Sequence, residues 1–365
     1  MEKNLSALGF MSGTSGDGVD TSIINSNGKD IINIKYNRFD PYPVNLSKKI
    51  LSLKESILEI KDLLKYSSDI NKLEIEITKF HADIAINLSK KIDYDLIGFH
   101  GHTIYHNADK KISKQIGLGY NLSNITNKTV VYNFRQNDIK NGGEGAPLSP
   151  IYHLALIKSL FDKGKIKTPI SILNIGGIAN ITEIDENFNF SSRDIGPGNC
   201  LIDKWVRINS NKFFDDNGNI AEAGKIDKFI FDQYLENYFY SNINLKRSLD
   251  TNDFDISFAK GLSLENGCAT MTSLTSELLS TKLGNNDIYV CGGGRKNKFL
   301  INSLKRKVKN KIFLIDSLNI EGDFVESQAF AFLAIRTFLK LPISFPSTTN
   351  CKKPSVGGII CKNII

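Results

Sequence analysis

"FMSGTSGDGVD", Phe10 to Asp20, sets three glycines, three hydroxyl residues and two aspartates into eleven positions between apolar runs. Several glycines in a short loop let successive amide N–H groups converge on an anion, and threonine and serine hydroxyls add donors. Phosphate is the guest that such a backbone suits. No G-x-x-x-x-G-K-[ST] sequence occurs in the chain, and Gly13-x-x-Gly16-x-Gly18 is too loose for a dinucleotide fingerprint by itself. Taken alone, the loop reads equally well as a hairpin connection.

Two further glycine turns shift that balance. Asn174–Asn180 (NIGGIAN) and Cys291–Gly294 (CGGG) also follow apolar, strand-like runs. Around the first turn, LSALGFM reads as a strand, and the segments either side of Asn27-Gly28 read as a hairpin with a tight turn. Helical spacing follows at roughly 44–58 and 70–91, then strand-like runs YDLIGF (94–99) and TVVYNF (129–134). Past NGGEGAPLSP (141–150) come strands at TPISILNI, ANITEI and FNFSSRDI, helices over 199–281, a strand at IYVCGGG and an apolar helix over 324–340. The strand, glycine turn, strand pattern of the first half thus recurs in the second as physical pattern, with little letter identity. This predicts an α/β chain of two lobes with a nucleotide cleft between them, gripped through main-chain amides. Asp17 and Asp20 would stand ready for Mg²⁺, through water.

Length and composition agree with an enzyme-sized body. At 365 residues, with 41% hydrophobic and 23% charged residues, the chain can bury a large core and carries no collagen-like or disordered signature. Five scattered cysteines without a C-x-x-C pair fit free thiols in a reducing compartment, hence the cytoplasm. The longest apolar run, AFAFLAI at 329–335, is too short to cross a bilayer, so no membrane partner is expected. The basic cluster KRKVKNK (305–311) lacks interleaved aromatics and reads as a solvated helix end before a buried strand, rather than a nucleic-acid patch.

Polar residues beside the glycine turns are the candidates for chemistry. Asp194 ends a strand ahead of a Gly-Pro-Gly turn and a helix starting near Asn199, and it is either a general base or an acceptor of backbone hydrogen bonds in that turn. Asp203, in the following helix, reads as structural. His100, His102 and His106 could be brought together by strand alternation, but no carboxylate or cysteine nearby completes a metal shell, and His100 suits a substrate-facing role better. Arg135 can take a carboxylate or phosphate bidentately, or serve in a salt bridge. DDNG (215–218) fails the register of a calcium loop, because Phe213 holds the first ligand position.

Taken in order, MSGTSGDGVD, HGHT, NFRQND, GGEGAPLSP, LNIGGIANIT, DIGPGNCLID, VCGGG and ESQAFAFLA resemble the successive blocks of the anhydro-N-acetylmuramic acid kinases of bacterial peptidoglycan recycling, over nearly the whole chain. That family belongs to the actin, hexokinase and Hsp70 superfamily. The resemblance implies a two-lobed, duplicated ribonuclease-H-like fold, with an N-terminal lobe over 1–137, rejoined by about 350–365, and a C-terminal lobe over 138–349. It implies ATP and Mg²⁺ as cofactors, 1,6-anhydro-N-acetylmuramic acid as substrate and a homodimer as a plausible assembly. Asp194 matches the catalytic aspartate. Gly13, Thr14, Ser15, Gly16, Asp17, Gly18, Val19 and Asp20, with Gly176, Gly177, Gly292, Gly293 and Gly294, match the ATP-binding blocks, and Asp17 would reach the metal through water. His100, Arg135 and Glu326 fall in blocks that face the sugar. The chain departs from the pattern at His102, where glutamine is usual, at Asn133, Glu144 and Ile195, and at Ser327-Gln328, which interrupt an apolar helix start. Another sugar kinase of the same fold and a non-catalytic ATP clamp are the alternatives.

Overall fold

The computed structural model describes residues 4–13, 15–241 and 248–362. Two compact units emerge: one runs to Lys167 and resumes at Phe324, and the other is Thr168–Asp323. In the first, β1 (Leu5–Ser12), β2 (Gly18–Ser26) and β3 (Ile32–Pro41) form an antiparallel meander. After α1 (Val44–Ser56), α2 (Ile60–Lys65) and α3 (Ser67–Ser89), β4 (Leu96–Asn107) lies parallel to β1. β5 (Ile112–Ile116) folds back on the outer half of β4, α4 (Gly119–Thr126) follows, and β6 (Thr129–Tyr132) lies parallel to β4. α5 (Gln136–Lys140) and α6 (Pro150–Asp162) complete this stretch.

The second unit repeats the plan. β7 (Ile170–Ile175), β8 (Ile178–Ile184) and β9 (Phe190–Pro197) form the meander, followed by α7 (Cys200–Asn209), α8 (Asn219–Ala223), α9 (Lys228–Tyr240) and α10 (Leu264–Ser280). β10 (Asp287–Cys291) lies parallel to β7 and, after α11 (Lys298–Lys307), β11 (Ile312–Leu314) lies parallel to β10. The strand orders β3-β2-β1-β4-β6 and β9-β8-β7-β10-β11 therefore match in sequence and in sense. The recurring strand, glycine turn, strand pattern is a duplication of topology, the ribonuclease-H-like arrangement. α12 (Val325–Phe338), α13 (Pro346–Thr349) and β12 (Ile359–Cys361) belong to the first unit, where β12 pairs antiparallel with β6.

Strand alternation explains how the first sheet is covered on both faces. Leu8 and Phe10 of β1 join Ile70, Leu73, Ile77 and Leu88 of α3 in one apolar cluster. Gly9, between them, faces the other way, toward α12. It stands opposite Gly98 of β4, and a Cβ on Gly9 would lie 2.0 Å from the Ser327 carbonyl oxygen, one on Gly98 2.2 Å from that of Phe330. The paired glycines thus let the helix backbone rest on the strands. Ser327 and Gln328, the polar interruption at this helix start, have specific partners there. Ser327 Oγ lies 2.7 Å from Ser22 Oγ, and Gln328 accepts from the Tyr152 hydroxyl at 2.7 Å and donates to Asn37. In the second unit, Leu173, Ile175, Ile181 and Val290 of the sheet pack with Leu300 and Leu304 of α11.

Three details differ from the sequence reading. The units divide at Lys167/Thr168 and Asp323/Phe324, whereas the sequence placed the divisions after 137 and 349; α6 and α12 pack within the first unit, a non-local contact that no local pattern announces. The connection after β2 is five residues long, because the Asn27 side chain accepts from the amides of Lys29, Asp30 and Ile31, and only Gly28 takes a positive φ, of 75°. β4 extends far past Phe99, turning at Gly101, whose φ is +74°. The basic run does close α11 ahead of β11, with Lys307 ion-paired to Glu277.

Candidate active site

The glycine loop of the first unit leaves the C-terminal end of β1. Thr14 lies outside the described residues. Within the loop the Gly16 amide donates to the Gly13 carbonyl at 3.1 Å, Ser15 donates to the Asp17 carboxylate, and the Gly16 carbonyl is held by Ser47 of α1 at 2.6 Å. Gly16 has a φ of +64°, and a Cβ on Gly18 would meet the Asp40 carbonyl and the Phe39 ring at 2.5 Å. Val19 is buried and Asp20 half-buried at the start of β2. The loop is anchored from below by a line that the sequence reading did not foresee. The Tyr42 hydroxyl donates to Ser12 Oγ at 3.0 Å, and Ser12 Oγ lies 2.8 Å from Nδ1 of His102. His102 is fully buried, and burial pushes its pKa down to about 3, so it is a neutral support for the loop.

The three histidines of β4 separate, instead of forming one cluster. Because Gly101 breaks the alternation, His100 packs on Phe330 with ring centroids 4.4 Å apart, His102 turns to Ser12, and His106 bonds Ser113 of β5. No group of three metal-ligating side chains exists among the described residues. Arg135, just past β6, joins His100: its Nη2 lies 3.0 Å from Nε2 of the imidazole, and Nη1 donates to the Gly145 carbonyl at 2.7 Å. Burial and the guanidinium hold the pKa of His100 well below its ordinary value. Behind Arg135, Asp138 is buried and organises the GGEGAP loop, accepting from the Gly145 amide at 2.7 Å and from Thr349 at 2.6 Å. Glu326 sits half-buried in the first turn of α12.

In the second unit, β7 and β10 are parallel neighbours, so both remaining glycine turns leave the same edge of the sheet. They touch. A Cβ on Gly292, whose φ is +80°, would lie 2.4 Å from Asn174 Oδ1, and one on Gly294 would lie 2.3 Å from the Ile175 side chain. Gly293 is open, with nothing nearer than the Asn199 amide at 3.9 Å. The Gly176 and Gly177 carbonyls accept from the amides of Asn199, Gly198 and Cys200, so the start of α7 is fastened to the β7–β8 turn. Arg295 fastens the other turn: it is buried, pairs through both nitrogen edges with Asp316 and Asp323, and donates to the Gly292 carbonyl at 3.1 Å.

Asp194 lies in β9 directly opposite Asn180, where an irregularity of register lets the strand turn at Ile195. Its side chain is buried, and its Oδ2 accepts the Leu249 amide at 2.8 Å. The donor is a distant one, 55 residues along the chain, and not an amide of the Gly-Pro-Gly turn named in the alternative reading; the bond fixes the carboxylate's direction, which a positioned base requires. Asp203 is half-buried in the first turn of α7. Asp215 of DDNG caps α8, accepting from the amides of Ile220 and Ala221. Asp138, Ser12, Tyr42 and Arg295 are supports whose roles the sequence reading missed; for Asp138 and Ser12 a signal existed, their places within NFRQND and FMSGTSGDGVD.

These geometries can be set beside known proteins. A family model described as anhydro-N-acetylmuramic acid kinase matches residues 5–363. Three curated proteins of that description are similar over almost their whole length. The one from Pelagibacter ubique (strain HTCC1062) is 48% identical over 100% of both chains. That from Zymomonas mobilis subsp. mobilis is 37% identical, covering 97% of this chain and 99% of its own, and that from Agrobacterium fabrum is 34% identical over 98% of each.

Proposed function

Because the chain belongs to the anhydro-N-acetylmuramic acid kinase family, we propose that it converts 1,6-anhydro-N-acetylmuramic acid, water and ATP to N-acetylmuramic acid 6-phosphate and ADP. The family match across residues 5–363 carries this reading. In the bridged sugar O6 is bonded to C1, so it has no proton to lose and cannot attack ATP until the bridge opens. Water must therefore add at C1. Asp194 takes a proton from that water, the new C1–O bond forms as C1–O6 breaks, and the O6 electron pair bonds the γ-phosphorus while the β,γ-bridge oxygen leaves with ADP.

The residues divide by the charge each partner presents. Gly13 to Asp20 of the first unit, and Gly176, Gly177 and Gly292 to Gly294 of the second, take the nucleotide through backbone amides. Arg135 presents a fork suited to the sugar's lactyl carboxylate, with His100 fixing the fork and Glu326 beside the sugar. Asp17 would hold Mg²⁺ through water. A hydroxyl-rich loop with Asp17 and Asp20, and no group of three metal-ligating side chains among the described residues, suits a cation that keeps most of its hydration and does not suit one caged by protein. When bound, the metal would neutralise phosphate charge. A reaction that consumes ATP belongs in the cytoplasm; no helix among the described residues is long and apolar enough to cross a membrane. A homodimer is the assembly we propose.

The test is product analysis in ¹⁸O water with ATP and Mg²⁺. Label at the anomeric hydroxyl of the phosphorylated product is the expected result. Unlabelled product, or turnover only with sugars that bear a free 6-hydroxyl, would assign the chain to another sugar kinase activity.

A further inference from the structure

The strand row that carries Asp194 holds a second polar side chain with no task in the account above. Asn174, Asn180 and Asp194 are direct partners across β7, β8 and β9. Residues directly opposite on adjacent antiparallel strands project to the same face, with Cβ atoms about 5 Å apart. Asn174 at one end meets the Gly292 turn, with its Oδ1 3.7 Å from Cys291 Sγ. Asp194 at the other end holds the Leu249 amide. Asn180 stands between them, only 9% exposed, and its Oδ1 has no hydrogen-bond partner among the described residues.

That arrangement is costly for stability alone. A buried polar oxygen without a partner loses its hydration for no return, and an apolar side chain of the same size would avoid the loss. The flanking residues, Ala179 and Ile181, are apolar and fully buried. A buried acceptor beside a candidate base is what an incoming hydrogen-bond donor needs.

We infer that Asn180 is a second catalytic residue, whose Oδ1 accepts one hydrogen of the attacking water while Asp194 accepts the other. The inference rests on the proposed reaction, in which water is the nucleophile. A sugar hydroxyl has one hydrogen, and a base alone can orient it. Water has two, and held by a single acceptor it turns freely about that bond, which spoils the aim of its lone pair at C1. Two acceptors about 5 Å apart at their Cβ atoms are close enough for one water to bridge. As the reaction proceeds, the proton facing Asp194 passes to the carboxylate and the oxygen pair forms the bond to C1. The hydrogen on Asn180 stays with the product as its anomeric hydroxyl.

The test uses the full chain with ATP, Mg²⁺ and 1,6-anhydro-N-acetylmuramic acid, in Asn180→Leu and Asn180→Asp variants. Leucine keeps the volume and removes the acceptor. Its expected signature is an unchanged or raised Tm, a KM for ATP within about two-fold, and a kcat lower by about 30-fold or more. Aspartate keeps an oxygen in place, and at its own pH optimum it is expected to exceed the leucine kcat by at least about five-fold. A leucine variant within about two-fold of the wild-type kcat, a kcat loss that accompanies a lowered Tm, or an aspartate variant no faster than leucine would each overturn the role. If leucine does not fold, Asn180→Ala is read by the same kcat and KM criteria. The wild-type ¹⁸O assay separates the two levels: absent label defeats the proposed reaction, whereas intact label with a fully active Asn180→Leu defeats only the part given to Asn180.

Discussion

Arg135 donates from Nη2 to Nε2 of His100 across 3.0 Å, while Nδ1 of the same ring lies 2.9 Å from the Gly101 carbonyl. A ring nitrogen that accepts from a guanidinium carries no proton, so Nδ1 holds it and donates to the carbonyl. His100 is therefore neutral, and its work is to aim the arginine. Lysine has no fork and cannot hold His100 and the Gly145 carbonyl together. Arg135→Lys is accordingly expected to raise KM for the anhydro sugar by about ten-fold or more and to leave KM for ATP within about two-fold. Steady-state kinetics with each substrate varied would decide this, and an equal rise in both constants would sink the assignment.

Buried histidines give the fold an acid-sensitive side. Burial lowers the pKa of His81 to about 4 and those of His102 and His153 to about 3, and His100 is held low as well. The unfolded chain titrates near the ordinary value of about 6.5, so below that pH it binds more protons than the folded protein, and stability falls as pH falls. Their contribution is complete above about pH 6.5 and is lost progressively toward about pH 3 to 4, at a slope of up to about 1.4 kcal/mol per pH unit for each histidine. His102→Gln removes one such group, and glutamine can still bond Ser12. Its Tm is expected to fall less steeply than the wild-type Tm between pH 6.5 and 4. Parallel Tm profiles would contradict this.

Helix α12 rests on Gly9 and Gly98, which leave no room for a methyl group against the helix backbone. Gly9→Ala must push the helix off the sheet or bend the strand, and overpacking of this kind costs about 1–3 kcal/mol. A lowered Tm is expected, together with loss of the Ser22–Ser327 contact. An unchanged denaturant midpoint would show that the helix yields without cost.

Local pattern carried much of the fold, because glycine turns between apolar strands announce themselves by residue type. The NIGGIAN and CGGG turns are where the sequence placed them. What stayed hidden depends on contacts between distant segments. Strand alternation over HGHTIYH would bring its histidines together, yet the turn at Gly101 parts them, a break that shows only once β4 is paired with β1 and β5. α6 and α12 belong to the first unit through packing that has no signature in their own composition. His100 and Arg135 were each visible as candidates, but their union needs β4 and β6 side by side. Asn180 is the clearest case: its place beside Asp194 is a matter of strand register, and register is not written in either segment alone.

Asp194 offers the sharpest measurement. Its Oδ2 already accepts the Leu249 amide, and an asparagine side chain can keep that bond through its own carbonyl oxygen. Asp194→Asn should therefore preserve the fold and the path of β9 while removing the basicity we propose activates water. Turnover is expected to drop by about 10² or more, the scale of a lost positioned base, with ATP affinity within a few fold. Single-turnover kinetics and direct ATP binding measure the two quantities separately. Full turnover in the variant would remove Asp194 from the chemistry, and would move the search for the base elsewhere. Failure of ATP binding together with turnover would make it a structural residue of the β9 turn.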